Sequence, residues 1–289
     1  MAASSLMLLL ALSPGAAGLA SAPARALSAG ATGRASAPAR ALRHPRQAAR
    51  MDSGAACALL TLGATTDRGQ RASAAERALA GKLLAELERA PQVSEPAALA
   101  GEWELVYATE APYRASPFFA AFRKLADGQT AAVRPFGSNS DSLAEAIFRI
   151  TDTLPFKEVG VVRQTINATH LVSRVVLAIS IFDALLPRSS SVMESSAALL
   201  PPDEADAPQR TRLRVERTQV LDSSIGALFP FLSLDQVRFP TSELFEQLKP
   251  GSSLIEMETT FVGSEMRVSR YEPGQAFVWT RVAQDAGAQ

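Results

Sequence analysis

The sequence predicts a mainly β fold, an antiparallel barrel with a few flanking helices. Three observations point there. Short apolar segments with alternating polarity recur through the second two thirds of the chain, the period of half-buried strands. Clusters of turn residues separate them. Helical spacing, by contrast, is clear only near residues 73–91.

The helix comes first. Ser73-Ala74-Ala75-Glu76 has the form of a capping box. Leu79, Leu83, Leu84 and Leu87 follow as one apolar stripe, which predicts packing against the domain, and Pro91 closes the helix. The first strand alternates Trp103, Leu105 and Tyr107 with Glu102 and Glu104. Val159 to Asn167, Leu171 to Ser180 and Ser191 to Leu199 read as the next strands. Pro201 to Pro208 carries three prolines and three acids and must be a loop, since proline cannot sit inside a sheet. Arg212 to Glu216, Ser253 to Val262, Met266 to Arg270 and Ala276 to Val282 complete the set, with Glu272-Pro273-Gly274-Gln275 as a turn. A barrel of about eight such strands has room inside for side chains or one small ligand.

Residues 1–51 contain no Asp or Glu but include Arg25, Arg34, Arg40, Arg43, Arg46 and Arg50. An acid-free, Arg-, Ser- and Ala-rich leader is the texture of an organelle transit peptide. Its apolar start, Leu6 to Leu12, and the small residues to Ala22 resemble a signal sequence, so the leader reads either as bipartite or as a simple transit peptide. Expected boundaries are therefore a cleaved presequence at 1–51, a flexible linker at 52–72, one domain at 73–283 and a disordered tail at 284–289.

Lys plus Arg and Asp plus Glu both total 29, but the leader holds the unpaired positive charge and leaves the rest acidic. That argues against a nucleic-acid partner, which needs a basic patch on the folded part. The single cysteine, Cys57, excludes an intramolecular disulfide and fits a reducing compartment. Catalytic machinery is sparse. Outside the leader, His170 is the only histidine, so no His/Cys zinc site can be assembled. No Gly-x-Ser-x-Gly elbow or Gly-rich phosphate loop occurs. Glu256 and Glu258 share a strand face and read as solvated. No metal, cofactor or catalytic residue is expected.

Three stretches together resemble the plastid lipid-associated protein/fibrillin family. The first is Leu99-Ala100-Gly101-Glu102-Trp103-Glu104-Leu105-Val106-Tyr107, followed by Arg114 to Phe119. The second is Gln164-Thr165-Ile166-Asn167. The third runs from Glu258 through Arg267-Val268-Ser269-Arg270 to Gly274-Gln275-Ala276-Phe277-Val278. Gly263 stands where the family usually has an acidic residue, and Phe118 to Pro155 fits the pattern poorly, reading as an insertion or a divergent helical stretch. The resemblance, over about residues 75–283, implies a lipocalin-like barrel, a plastid location at plastoglobules or thylakoids, and lipids, carotenoids or quinones as associates. It implies binding or coating of apolar molecules, with peripheral membrane association, rather than catalysis. An enzyme of isoprenoid or pigment metabolism and an assembly factor binding another plastid protein are the competing functions.

The residues support a matching physical expectation. Gly101, Trp103, Asn167, Arg267 and Arg270 form the structural motif, with Gly101 admitting the chain to the barrel floor and Arg267 or Arg270 stacking on Trp103. Trp103, Tyr107, Phe261 and Phe277, chosen by strand alternation, are the expected ligand contacts.

Overall fold

The computed structural model describes residues 54–90, 96–127, 148, 152, 157–179, 189–201, 209–223 and 238–283. The expected presequence and tail lie outside them. Among these residues nine strands form one antiparallel sheet: β1 (Gly101–Ala108), β2 (Lys157–Ile166), β3 (His170–Ile179), β4 (Ser189–Leu199), β5 (Arg210–Leu221), β6 (Arg238–Phe239), β7 (Leu254–Val262), β8 (Met266–Arg270) and β9 (Phe277–Arg281). Their order is β4-β3-β2-β1-β9-β8-β7-β5-β6, and β4 also pairs with β5. Eight strands thus hydrogen-bond in a closed ring, and β6 pairs with β5 beside it. Closure satisfies the ladder groups that an open edge would leave unpaired.

Among the described residues, four α-helices accompany the sheet: α1 (Gly54–Thr65), α2 (Ala74–Glu88), α3 (Pro117–Ala126) and α4 (Thr241–Leu248). Ser73 caps α2 in the expected reciprocal manner, accepting from the Glu76 amide while the Glu76 carboxylate accepts from the Ser73 amide. The apolar stripe needs one correction. Leu84 and Leu87 are buried and Leu83 is partly so, but Leu79 is 49% exposed and Ala80 takes the inward position. A second correction concerns residues 54–65, expected as flexible linker: they form α1, whose Leu59 is fully buried. An Ala-rich segment without charges offered no polar face from which helical periodicity could be read.

Helices α1 and α2 cover the outer face of β1, β7, β8 and β9. Leu59, Leu62, Leu84 and Leu87 meet Val268 and Val278 there. Gly63 is required for this approach, because a Cβ at that position would lie 2.1 Å from the Val106 carbonyl oxygen. Beyond α1, Arg68 donates to the Val159 and Gly160 carbonyls where the β2–β3 register shifts, satisfying acceptors that the ladder leaves free there. Helix α3 packs on β4, β5, β7 and α4. Phe118, Phe119 and Phe122 are buried with Tyr113, Phe148 and Phe245 in an aromatic cluster.

Candidate buried cation site

Antiparallel partners point to the same side of a sheet, so register sorts side chains between the two faces of the ring. Trp103 pairs with Gln164 and Arg281, Leu105 with Trp279, Arg267 with Trp279, and Ser269 with Phe277. These residues share the inner face. Around the ring the same face continues through Ser173, Ser195 and Thr218, all with no exposure. Bulky rings on one side thus stand across from a wall of short hydroxyl side chains.

Two expected ligand contacts are on the other face. Tyr107 pairs with Val278, and Phe261 with Val268; both belong to the cluster beneath α1 and α2. The cause is a pair of bulges. The β1–β9 register shifts between Leu105 and Tyr107, and the β7–β8 register between Thr259 and Phe261. Each inserts one residue and sends the next side chain to the opposite face. Trp103 and Phe277 keep their inner positions, with Phe277 against the Tyr271 ring, centroids 6.0 Å apart.

Trp103 is fully buried, and its indole donates to the Leu99 carbonyl at 2.9 Å. Two guanidinium groups flank it, those of Arg281 at 4.2 Å and Arg267 at 5.2 Å from the ring centroid. The structural stacking expected of Arg267 or Arg270 therefore falls chiefly to Arg281. Its fork donates to the carbonyls of Ser264, Ala100 and Ala98 at 2.8, 2.7 and 2.8 Å. Gly101 makes room for it: the residue has φ +133°, and a Cβ there would sit 2.3 Å from Arg281 Nη1. Arg270 instead reaches outward to the Glu88 carboxylate at 2.7 Å. Asn167 serves the β2–β3 turn, its Oδ1 accepting from the amides of Thr169 and His170 at 2.8 Å each. His170 itself stands at the strand end with Nδ1 on Thr169 Oγ1, 2.8 Å away. Cys57 is exposed on α1, and Glu256 and Glu258 flank the buried Met257 on the outer face.

Arg267 is the unusual residue. Its side chain has no exposure, and its guanidinium lies 5.2 and 4.9 Å from the Trp103 and Trp279 ring centroids. Nη2 donates to Gln164 Oε1 at 2.7 Å, whereas buried Nε and Nη1 have no hydrogen-bond partner. Gln164 is fixed in turn by its amide donating to the Ala115 carbonyl at 2.9 Å. The Trp279 indole donates to Ser269 Oγ at 2.9 Å. No carboxylate pairs with Arg267 among the described residues. Burial accordingly pulls the guanidinium down to about 9, with Arg281 adding repulsion and Tyr271 opposing. Each unsatisfied buried donor costs ~1–3 kcal/mol, and an indole face returns ~2 kcal/mol or more to a desolvated cation, so the two indoles offset much of the cost. Sequence reading placed Arg267 on Trp103 but had no means of seeing that its donors are unmet. Ser173 Oγ and Thr259 Oγ1, on the same face, are also buried without a partner.

A pocket of about 520 Å³ lies beside α3, lined mostly by the charged side chains of Arg123, Lys124, Asp127, Glu256 and Glu272, with Tyr271 at its wall. The volume falls in the range of small-molecule sites. Tyr271 links it to the interior. The phenol, raised well above its usual range by burial, is within electrostatic reach of Arg267 and hydrogen-bonding reach of Gln164. Among the described residues no cluster of His, Cys, Asp and Glu could hold a metal ion. No protein-family model, curated protein or solved structure matches the chain.

Proposed function

We propose that this chain is a plastid lipid-associated protein of the fibrillin type, whose ring of strands is a lipocalin-like barrel that binds an apolar or amphiphilic molecule. The observation that carries the reading is the make-up of the inner face. Eight strands close hydrogen bonds in a ring, a number compatible with one small enclosed ligand. Inside it, the indoles of Trp103 and Trp279 oppose the short side chains of Ser173, Ser195 and Thr218. Aromatic side chains with a few polar groups among them are the residue types of a small-molecule site. The three stretches that resemble the fibrillin family support the same reading, as does the acid-free leader for a plastid destination at plastoglobules or thylakoids. The ligands in view are isoprenoid quinones, carotenoids and acyl lipids.

The test is to express the full chain in a plastid-bearing host, purify it and extract it with organic solvent. Mass spectrometry of the extract is expected to find one such lipid in near-stoichiometric amount. Solvent background alone overturns the reading. A fluorescent reporter fused behind residues 1–51 tests the destination: plastid signal is expected, and uniformly cytosolic signal removes the plastid from the proposal.

A further inference from the structure

We propose that the turn after α1, residues 66–69, is a strap that holds shut a seam in the ring between β1 and β2, and that the ring parts there when the strap lets go. The inference goes beyond the binding reading above and does not rest on it. It begins with an incomplete ladder. β1 and β2 pair from Gly101 with Ile166 to Glu104 with Arg163. β1 runs on to Ala108 and β2 starts at Lys157, yet among the described residues no pair joins 105–108 to 157–162. Both strands bulge at that level. The β1–β9 register shifts between Leu105 and Tyr107, and the β2–β3 register between Val159 and Val162. Continuing the register from Glu104 and Arg163 sets one bulge against the other, and bulges bend strands and end their pairing. β3 and β4, by contrast, pair without a break from His170 to Ile179.

Arg68 spans the gap. Its carbonyl accepts from the Ala108 amide at 3.0 Å, and its guanidinium donates to the carbonyls of Val159 and Gly160. One residue thus holds β1 through its main chain and β2 through its side chain, where ladder bonds are missing. Asp67 steadies the guanidinium, with Oδ1 at 3.2 Å from Nη2. Gly69 lets the turn lie against β1, since a Cβ there would sit 2.6 Å from the Ala108 carbonyl oxygen and 2.8 Å from the Tyr107 ring. The turn Pro112–Ala115 backs both strands from the inner side, its Ala115 carbonyl accepting from Gln164. The strap lies on the outer side with α1.

The strap is also strained. Asp67, Arg68 and Gly69 have φ of +50°, +57° and +89°, three successive residues in the left-handed region that only glycine enters without steric cost. Such conformations persist where surrounding contacts over-determine them, and they gather at clamps and switch regions. Here the Arg68 amide donates to the Gly63 carbonyl at 2.7 Å and the Gly69 amide to Thr66 Oγ1 at 3.0 Å. Letting go of the seam would relieve the strain, so the hydrogen bonds of Arg68 are what keep it closed. The side chains of Arg68 and Asp67 are 19% and 48% exposed, and water can take over the freed carbonyls. Opening at this point is therefore local, without unfolding of the sheet.

Hydrogen–deuterium exchange of the full chain, read by mass spectrometry, tests the strap. Peptides covering 105–111 and 157–163 report the seam, and peptides from β3 and β4 serve as reference. Arg68→Ala removes the side-chain grip, and Gly69→Ala pushes the turn off β1 while keeping Arg68. In both variants the seam peptides are expected to exchange roughly tenfold faster or more, the margin of one hydrogen bond to a charged donor, with the reference peptides unchanged. Arg68→Lys keeps one charged donor and is expected to fall between wild type and Arg68→Ala. Unchanged seam exchange in Arg68→Ala overturns the proposal. Equal acceleration of seam and reference peptides also overturns it, because the turn then belongs to the global core. Failure of both Arg68→Ala and Arg68→Lys to fold, seen by far-UV circular dichroism, overturns it for the same reason.

Discussion

Arg281 and Trp103 face each other across the β1–β9 ladder, with the guanidinium carbon 4.2 Å from the indole centroid. The same guanidinium ties down three carbonyls, two of them in the turn that leads into β1. The pair therefore joins the entry of the first strand to the end of the last. Trp103→Ala is expected to destabilise the protein by ~3–5 kcal/mol, the range for removing a large buried aromatic. Chemical denaturation followed by far-UV circular dichroism measures it, and an unchanged midpoint would show that the pair does not hold the ring closed.

Gly101 belongs to the same arrangement by leaving space. Its φ of +133° is one that side chains rarely adopt, and any Cβ would collide with Arg281 Nη1. Gly101→Ala must pay the backbone strain and also displace the guanidinium from Ala100. A loss of at least ~2 kcal/mol is expected from the strain alone. A melting temperature equal to that of the wild type would mean that the entry to β1 is free to rearrange.

Tyr107 and Phe261 pack under α1 and α2 rather than inside the ring. Tyr107→Ala is accordingly expected to cost ~3–5 kcal/mol as a core truncation, with a smaller loss for the partly buried Phe261→Ala. Neither change should shift the emission maximum of Trp103 and Trp279, which lie on the opposite face. A spectral shift in the folded variants would place Tyr107 or Phe261 against the indoles.

These two residues also show how far the sequence could be read. Strand periodicity located β1 to β5 and β7 to β9, because alternation and turn residues are local signals. It could not locate the bulges at Val106 and Thr260, since an inserted residue changes parity through pairing with another strand. Every assignment downstream of a bulge was therefore inverted, while Trp103, ahead of the bulge in β1, kept its face. Helix α1 was missed for a different reason: it carries no charge, so no polar face marks a period there. Helix α3 falls largely within the stretch read as an insertion or a divergent helical segment, and α4 was not read. Arg281 lay beyond the motif stretches and was overlooked, although its partners are fixed by chain geometry. The unmet donors of Arg267 arise only when β1, β2, β8 and β9 come together, and no local pattern announces them.

Arg267 yields the last prediction, about stability. A buried charge without a carboxylate partner is a burden on the fold, and an apolar residue of similar volume can relieve it. Arg267→Met is expected to leave the protein as stable as wild type or more stable by up to ~2 kcal/mol. The pH dependence carries a definite sign. In the folded state burial holds the guanidinium at about 9, below its ordinary value, so above that point the unfolded chain binds the proton more strongly than the native one. Stability of the wild type must then rise with pH relative to the variant. The cost is fully present below pH 9, and the gap between the two proteins should be widest there and narrow in more alkaline solution. Paired urea denaturations at pH 7 and pH 10 measure that gap. A variant destabilised by several kcal/mol at pH 7 would show that the two indoles and Gln164 repay the burial in full, making Arg267 a structural element of the ring.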